Sequence, residues 1–234
     1  MKLSIIIPVY NEEATVAQLI KKVKAVKLPN KINREIIVVD DASNDKTKKI
    51  LKKVKDIKTY SHKKNLGKGV AVRLGIGKAT GDIVIIQDAD LEYDPNDYSK
   101  LIQPIIQKKT KVVYGTRLKD YPIKILGKGS TPFLSHYLGN KLLSLATSFL
   151  YGSKITDMET CYKVFHKSVL RGLNLKAMRF ELEPEITAKL LKKDYKIYEV
   201  PIKVKPRGYD EGKKISWRDG FIALWTLIKY KFVD

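Results

Sequence analysis

Residues 83–90 read IVIIQDAD and set the fold class of this 234-residue chain. A run of four Ile and Val residues is typical of a strand that is buried on both faces of a parallel sheet. Asp88 and Asp90 follow directly, so their carboxylates emerge at the carboxyl end of the strand, where open α/β sheets bind ligands. Such a pair can hold a divalent cation, although an ordinary turn with solvated acids has the same pattern.

Short runs rich in Ile and Val alternate with helical patterns along the chain, which predicts stacked β–α–β units and a mostly parallel sheet. Besides 83–87, strands are predicted at Leu3–Val9, Glu35–Asp40, Asp56–Tyr60, Lys111–Tyr114, Cys161–Phe165 and Lys196–Val204. Helices are predicted from Glu13 to about Lys27, after a cap at Ser43 or Asn44, and at Gly67–Ala79, Pro95–Gln107, Pro132–Tyr151, Glu183–Lys192 and Ile215–Lys231. The periodicity is lost from Lys119 to Thr131, which we interpret as a functional loop.

The chain is strongly basic, with 46 Lys and Arg against 25 Asp and Glu and a net charge of +21. An anionic membrane or substrate, a lysine-rich proteome and a nucleic acid would each account for this charge. The acids cluster at predicted strand ends, which argues against a nucleic-acid partner. Cys161 is the only cysteine, which fits a reducing cytosol. The uncharged stretch Leu142–Ser153 is shorter than the roughly 20 residues that span a bilayer.

Polar residues also follow the first two predicted strands. Asp40 and Asp41 end the second strand, and Tyr10–Glu12 follows the first. Because the carboxyl ends of parallel strands meet at one edge, these acids would join Asp88 there, and like charges at one edge require a ligand or cation. Lys68 begins a predicted helix, where its ammonium and backbone N–H groups can face phosphate; a solvated lysine in a turn is the alternative.

Four blocks resemble the inverting family 2 glycosyltransferases with a GT-A fold: SIIIPVYNE at 4–12, VVDDAS at 38–43, NLGKG at 65–69 and DADL at 88–91. Further blocks at Tyr114–Arg117, Thr156–Phe165 and Glu199–Pro201 are similar to the branch of polyprenol- and dolichol-phosphate mannosyltransferases. The resemblance covers nearly the whole chain. It implies one α/β domain with a GT-A-like, Rossmann-related, mostly parallel sheet flanked by helices, and an amphipathic helix at the C-terminus.

The resemblance also implies roles for residues on the nucleotide side. Asp40 would accept hydrogen bonds from the base, and Lys68 would lie near the base or the diphosphate. Mg²⁺ or Mn²⁺ would be held on the diphosphate by Asp88 and Asp90, with Glu92 beside them. Many relatives carry glutamine at this last position, so Glu92 adds an acid to the metal site. The full set that would line the nucleotide pocket is Pro8, Tyr10, Glu12, Asp40, Lys68 and Ala89.

On the acceptor side, the resemblance implies that four basic residues meet the acceptor phosphate: Arg117, Arg207, Lys213 and Lys214. Relatives often carry Ser-Lys at the last two positions. A phosphate oxygen is already anionic at neutral pH, so it requires positioning more than deprotonation. Asp157 or Glu159 would act as a base if the acceptor were a hydroxyl group. A helix cap or a salt bridge is the alternative for either acid.

The chain therefore divides into a nucleotide-sugar-binding half at 1–118, an acceptor-side half of the same domain at 119–214 and an amphipathic helix at 215–234. On this helix, aromatic and aliphatic residues recur at helical spacing and lysines lie near its end, which is typical of the bilayer interface. Packing against the catalytic domain is the alternative. The apolar residues are Trp217, Phe221, Leu224, Trp225, Ile228 and Phe232, and the lysines are Lys229 and Lys231.

The family resemblance therefore implies transfer of a hexose, with mannose favoured over glucose, to a polyprenyl or dolichyl phosphate. GDP-mannose is favoured over UDP-glucose as the donor. The protein is expected to be cytoplasmic and peripheral at the cytoplasmic face of a membrane. Three alternatives are a transferase acting on a hydroxyl group of a cell-surface polysaccharide, a nucleotidyltransferase, and a non-enzymatic basic module that binds membranes or nucleic acid. The acidic residues at the strand ends argue against the last of these.

Overall fold

The computed structural model of the chain describes residues 1–29, 32–117, 134–205 and 217–233. Within these residues the chain forms a seven-stranded sheet with the order β3-β2-β1-β4-β6-β5-β7. The strands are β1 Lys2–Val9, β2 Asn33–Asp40, β3 Lys58–Ser61, β4 Ile83–Ile86, β5 Val112–Thr116, β6 Lys163–His166 and β7 Ile197–Pro201. Every strand predicted from the sequence is present, with its ends displaced by a few residues.

The sheet is mostly parallel, as the sequence predicts. Strand β1 pairs in parallel with β2 and β4, and β2 pairs in parallel with β3. Strand β6 runs antiparallel between β4 and β5, and β7 pairs in parallel with β5. The Ile and Val side chains of β1, β2 and β4 are almost completely buried, which is expected of strands covered on both faces. The carboxyl ends of β1 to β4 therefore share one edge.

The described helices are α1 Val16–Ala25, α2 Thr47–Lys53, α3 Lys68–Lys78, α4 Tyr98–Ile106, α5 Leu134–Tyr151, α6 Lys167–Leu170, α7 Leu182–Lys192 and α8 Trp217–Phe232. All the predicted helices are present, and the short helix α6 is an addition. A single turn of 3₁₀-helix at Pro95–Asp97 precedes α4. The predicted loop at 119–131 and the predicted start of α5 at Pro132 lie outside the described residues.

The predicted cap of α2 at Ser43 or Asn44 is wrong. The helix begins at Thr47, whose N–H donates to the Asp45 carboxylate at 2.9 Å. The hydroxyl of Ser43 accepts the Asn11 N–H at 2.9 Å instead, and the Asn44 N–H donates to the Asn11 side chain at 3.0 Å. These hydrogen bonds join the segments that follow β1 and β2. Ser43 and Asn44 therefore connect two strand ends instead of capping α2.

Helix α8 packs one face on the domain and leaves the other exposed. Leu227 and Tyr230 are buried, and the Tyr151 hydroxyl of α5 donates to the Leu227 carbonyl at 2.7 Å. Phe221 and Trp225, which belong to the predicted apolar stripe, are exposed. Packing thus uses a face that lies beside this stripe. In the described part of the chain, none of the helices has the length and apolar character needed to cross a bilayer.

Candidate active site

The predicted acids lie at the carboxyl edge of the parallel strands. Val9 and Asp40 are register partners at the ends of β1 and β2. After β4, the Gln87 N–H donates to the Ile6 carbonyl of β1 at 2.9 Å, which brings Asp88 to the same edge. Because β1 lies between β2 and β4, the sheet order itself places the polar segments that follow these strands next to one another.

The backbone at Asp88 is held by the buried side chain of Gln87, a residue that the sequence analysis did not single out. The amide oxygen of Gln87 accepts hydrogen bonds from the hydroxyls of Tyr98 at 2.6 Å and Tyr162 at 2.7 Å. Its amide nitrogen donates to the Asp88 carbonyl at 3.0 Å. A satisfied, buried network of this kind restricts the strand end, and thereby the direction of the carboxylate that follows.

Lys68 lies between two carboxylates from different elements. Gly67, with φ of +100°, makes the turn into α3, and Lys68 is the first residue of the helix. The Lys68 ammonium is 2.9 Å from the Asp88 carboxylate and 2.9 Å from Glu183 in the first turn of α7. Sequence reasoning missed Glu183, since its position in the first turn of a predicted helix was the only signal. Lys68 is therefore an ion-paired residue of the site.

Lys68 and Asp88 each stabilise the charged form of the other. Burial by itself would raise the pKa of Asp88, but the neighbouring ammonium of Lys68 outweighs it and the pKa is lowered. Burial would lower the pKa of Lys68, but Asp88 and Glu183 raise it well above its ordinary value. Both groups are consequently charged at neutral pH, and the edge of the sheet carries a persistent ion pair.

A divalent cation fits this edge only in an open arrangement. Asp90 accepts the Glu92 N–H at 3.1 Å, and among the described residues no three Asp, Glu, His or Cys side chains form a cluster that could hold a metal ion. The predicted set of Asp88, Asp90 and Glu92 is thus not assembled as an enclosing cage. Mg²⁺ is commonly bound by one or two carboxylates together with substrate phosphates. Asp88 and Asp90 are two carboxylates in one segment after β4, and they would suit that mode.

Asp40 and Asp41 differ in how far their oxygens are satisfied. Asp41 accepts the N–H groups of Leu66 and Gly67 at 2.9 and 2.7 Å and contacts His62 at 2.7 Å, so it shapes the turn before α3. Asp40 is buried, and one of its oxygens accepts the Ser43 N–H at 3.1 Å. Its second oxygen is buried and has no hydrogen-bond partner among the described residues. Such an atom suits a ligand donor.

The remaining residues predicted on the nucleotide side lie on or after β1 and β4. Pro8 belongs to β1, and Ala89 is buried between the two aspartates that follow β4. Tyr10 is half-buried. Glu12 is buried; its N–H donates to the Thr47 hydroxyl at 2.9 Å and its carboxylate accepts the Thr15 hydroxyl at 2.8 Å. Glu12 therefore connects the end of β1 with both α1 and α2.

Arg117 and Asp157 form a buried pair. The guanidinium donates to both oxygens of Asp157 at 2.7 Å, and the Arg117 backbone N–H adds a third bond at 2.8 Å. The side chain of Asn140 supplies a fourth at 2.8 Å. Burial would raise the pKa of Asp157, but Arg117 outweighs it and the pKa is lowered. This geometry corresponds to the salt-bridge alternative for Asp157 rather than to a free base, and it commits two donors of Arg117 that were expected to face phosphate.

Glu159 differs from Asp157 in its hydrogen bonding and in its pKa. One of its oxygens is buried without a hydrogen-bond partner among the described residues. Burial and the nearby charge of Glu183 raise the pKa of Glu159 to about 7, against the opposing effects of Lys163 and Arg117. The carboxyl group is therefore close to half protonated at neutral pH. It is the better candidate of the two predicted bases.

Glu159→Gln is expected to stabilise the protein at alkaline pH. The wild-type carboxyl has a pKa of about 7 instead of 4.5, so the folded state loses stability as the pH rises from 4.5 to 7, and the loss persists above 7. By linkage it amounts to on the order of 3 kcal/mol at pH 8. Urea unfolding at pH 5, 6, 7 and 8 should show the variant gaining on the wild type with pH. A constant difference would contradict the assignment.

Glu185→Gln provides a control of opposite sign. Burial would raise the pKa of Glu185, but Lys189 and the backbone N–H groups of Lys176 and Ala177 lower it. This group contributes stability above its unfolded pKa and loses it as the pH falls, so the substitution should destabilise the protein most at neutral pH.

Arg207, Lys213 and Lys214 lie outside the described residues, and their predicted role on the acceptor side stays a prediction. Arg117 is the one predicted acceptor-side cation within the described part of the chain.

The same sheet architecture occurs in glucosyl-3-phosphoglycerate synthase from Mycobacterium tuberculosis. That structure superimposes with a TM-score of 0.75 at 18% sequence identity, over 100% of this chain and 81% of that one. The fold is therefore that of the GT-A glycosyltransferases. The aspartate pair after β4 lies at the carboxyl edge of the strands, where open α/β sheets generally bind ligands. The chain belongs to glycosyl transferase family 2, whose sequence profile matches residues 4–173.

The relatives that cover most of the chain include two whose names contain dolichol phosphate. A UDP-N-acetylglucosamine–dolichyl-phosphate N-acetylglucosaminyltransferase from Methanococcus voltae is 31% identical over 97% of this chain and 95% of its own length. A dolichol-phosphate mannosyltransferase from Pyrococcus furiosus is 30% identical over 91% of this chain and 59% of its own length. The predicted family resemblance is confirmed, and the chain is a hexosyltransferase. Membership of this family argues against the nucleotidyltransferase and the non-enzymatic alternatives.

Proposed function

We propose that this protein transfers a hexose, with inversion, from a nucleotide sugar to a polyprenyl or dolichyl phosphate at the cytoplasmic face of a membrane. The observation that carries the proposal is the position of Asp88, with its Lys68 partner, at the sheet edge where Asp40 also ends its strand. One buried oxygen of Asp40 has no hydrogen-bond partner among the described residues. This combination suits a diphosphate next to a base. The names of both relatives include a dolichyl phosphate acceptor.

The chain's own residues account for donor binding. One oxygen of Asp40 accepts an N–H of the base, and Lys68 meets the diphosphate with a charge-assisted hydrogen bond. Mg²⁺ or Mn²⁺, held by Asp88 and Asp90, would neutralise the departing nucleoside diphosphate. Structures of the M. tuberculosis synthase contain UDP with Mn²⁺ and UDP with Mg²⁺, which supports the proposal of a divalent cation that accompanies the nucleotide in this protein.

The candidate bases distinguish a phosphate acceptor from a hydroxyl acceptor. Asp157 is committed to Arg117, and an acceptor phosphate requires no base because it is already ionised. A hydroxyl acceptor requires one, and Glu159 is then the carboxylate with a suitable pKa, about 7. Transfer by Glu159→Gln at near wild-type rate supports the phosphate acceptor. Its loss favours the alternative, a hydroxyl group of a cell-surface polysaccharide.

The donor is settled by experiment. GDP-mannose is the donor favoured from the sequence, whereas the M. voltae relative is named for a UDP sugar. A thermal-shift panel of GDP and UDP sugars with Mn²⁺ identifies the nucleotide that stabilises the fold. The donor found in this way, carrying a radiolabelled sugar, is then incubated with a short-chain polyprenyl phosphate. Organic-phase label that depends on this acceptor is the expected result; label only in polysaccharide would refute the lipid acceptor.

A membrane surface fits the exposed apolar side of α5 and α8. The two helices pack on each other through Tyr151 and Leu227, and each carries a row of exposed apolar side chains. Exposed patches of this kind mark interaction sites, and Trp beside Lys suits the bilayer interface. Sequence reasoning assigned this role to α8 alone. The exposed residues are Leu138, Leu142, Leu145 and Phe149 on α5 and Phe221, Ile222, Trp225 and Phe232 on α8.

Replacing Phe149 and Trp225 together by serine is expected to weaken binding to anionic vesicles at least ~10-fold, because each apolar side chain contributes on the order of 1 kcal/mol or more when it enters the bilayer interface. Their exposed fractions are 88% and 65%, so the fold should tolerate the change. Vesicle flotation measures binding, and transfer to a short-chain acceptor should stay within about twofold. Tyr198→Ser, an exposed aromatic on β7, is the matched control. Unchanged flotation of the double variant would exclude this face.

A further inference from the structure

Lys68 forms ion pairs with Asp88, which would hold the divalent cation, and with Glu183, which would not. Its ammonium is 2.9 Å from one oxygen of Asp88 and 3.1 Å from the other, and 2.9 Å from Glu183. The Lys68 side chain is 15% exposed and that of Glu183 8%. An ammonium has three donors, so Lys68 can keep its bond to Glu183 while it releases Asp88.

The start of α3, which carries Lys68, and the start of α7, which carries Glu183, are joined through the loop that precedes α7. Val70 of α3 donates its N–H to the Met178 carbonyl at 3.3 Å. The backbone at Gly67 lies so close to the same oxygen that an added Cβ would clash with it. Glu185 in the first turns of α7 accepts the N–H groups of the adjoining loop at Lys176, at 2.8 Å, and at the residue after it. The start of α3 is thereby attached to the start of α7, whereas Asp88 comes from the end of β4.

We propose that Lys68 is a built-in counter-ion of Asp88 in the nucleotide-free protein, and that Glu183 is the positioning residue that holds the ammonium when Asp88 turns to a divalent cation. The proposal rests on the proposed function for the role of Asp88. Two cations cannot fully share one carboxylate, because they repel each other at these distances. A bound diphosphate supplies the negative charge that Lys68 then meets. Metal and nucleotide should therefore bind together, and metal alone weakly.

Two substitutions test this in opposite directions. Lys68→Met removes the counter-ion and keeps the apolar stem, so Mn²⁺ affinity without nucleotide should rise ~10-fold or more, because a neighbouring positive charge is lost. Lys68→Gln is a second neutral variant that retains hydrogen-bond donors. Glu183→Gln leaves the ammonium to Asp88 alone, so Mn²⁺ affinity should fall ~10-fold. Free Mn²⁺ is measured by electron paramagnetic resonance titration, with thermal unfolding as the check on folding.

The double variant separates positioning from simple loss of charge. If Glu183 acts through Lys68, Glu183→Gln should change Mn²⁺ affinity less than ~2-fold in the Lys68→Met background, whereas a direct electrostatic effect would persist there. Lys58→Met is the matched control, since it also breaks a lysine–glutamate pair, with Glu35, at the start of β3 on the opposite edge of the sheet. It should leave Mn²⁺ affinity unchanged.

The outcomes are distinguishable. If the wild type binds Mn²⁺ with a nucleoside diphosphate but neutral variants of Lys68 bind Mn²⁺ alone no better than the wild type, the counter-ion proposal is overturned and the proposed function stands. Persistence of the full Glu183→Gln effect in the double variant overturns the positioning role. If the wild type binds no Mn²⁺ even with GDP or UDP present, the metal role of Asp88 fails, and this proposal fails with it.

Discussion

Asp90→Ala is expected to reduce sugar transfer at least ~1,000-fold, because removal of a group that stabilises the leaving diphosphate costs several kcal/mol in the transition state. Asp90 is only partly buried and lies in the turn after β4, outside the hydrophobic core. The melting temperature should stay within a few degrees of the wild type. Transfer is measured with saturating Mn²⁺, which separates a weakened metal site from a lost one.

Asp94→Ala is the matched control for this prediction. Asp94 is an exposed acid in the same segment, and it accepts hydrogen bonds from Asn96 at 3.0 Å. Its loss should disturb only this turn and leave transfer nearly unchanged. Near-normal turnover of Asp90→Ala with saturating Mn²⁺ would remove Asp90 from the metal site.

Asp157→Ala is expected to lower the free energy of unfolding by about 3–5 kcal/mol, since it leaves the Arg117 guanidinium without its partner in a buried site. The Asp157 side chain is fully buried, and that of Arg117 is 22% exposed. For a domain of this size the loss corresponds to a melting temperature lower by roughly 10 °C. Guanidinium or urea unfolding measures it directly.

The double variant Arg117→Met, Asp157→Ala tests the cause. Removing both charges should restore part of the lost stability, because the penalty of a single substitution arises from the uncompensated charge. Should the two single substitutions add without recovery, the pair is not the source of the stability. A decrease of less than ~1 kcal/mol in the free energy of unfolding of Asp157→Ala would be typical of a surface ion pair. Asp157 would then again be a candidate base.

The two predictions separate chemistry from architecture within one site. Asp90 should affect transfer with little effect on folding, and Asp157 should affect folding first. Glu199 of β7 supports the second assignment, since its carboxylate accepts the N–H groups of Thr156 at 2.8 Å and Asp157 at 3.2 Å. The motif blocks around Asp157 and Glu199 in the sequence are thus in direct contact. Both lie in the half of the domain that is predicted to face the acceptor.

The sequence by itself determined the strands, the helices and the edge at which the acids meet. These follow from local patterns: the Ile and Val run of β4 predicts a strand buried on both faces, and parallel strands put Asp40 and Asp88 at the same edge whatever surrounds them. The family also followed from short blocks in a fixed order. The prediction that Ser43 caps α2 was wrong because a serine hydroxyl can also accept a hydrogen bond from the segment after a neighbouring strand. The Ser43 hydroxyl accepts the N–H of Asn11, which follows β1.

Only the tertiary structure decided which of these acids are paired and which have a free oxygen. Asp88 is held by Lys68 and Asp157 by Arg117, whereas one oxygen of Asp40 and one of Glu159 have no partner among the described residues. These pairings join different elements, 20 residues apart in the chain for Lys68 and Asp88 and 40 residues apart for Arg117 and Asp157. A charge is stabilised by what lies within a few ångströms of it, and no local pattern specifies those neighbours.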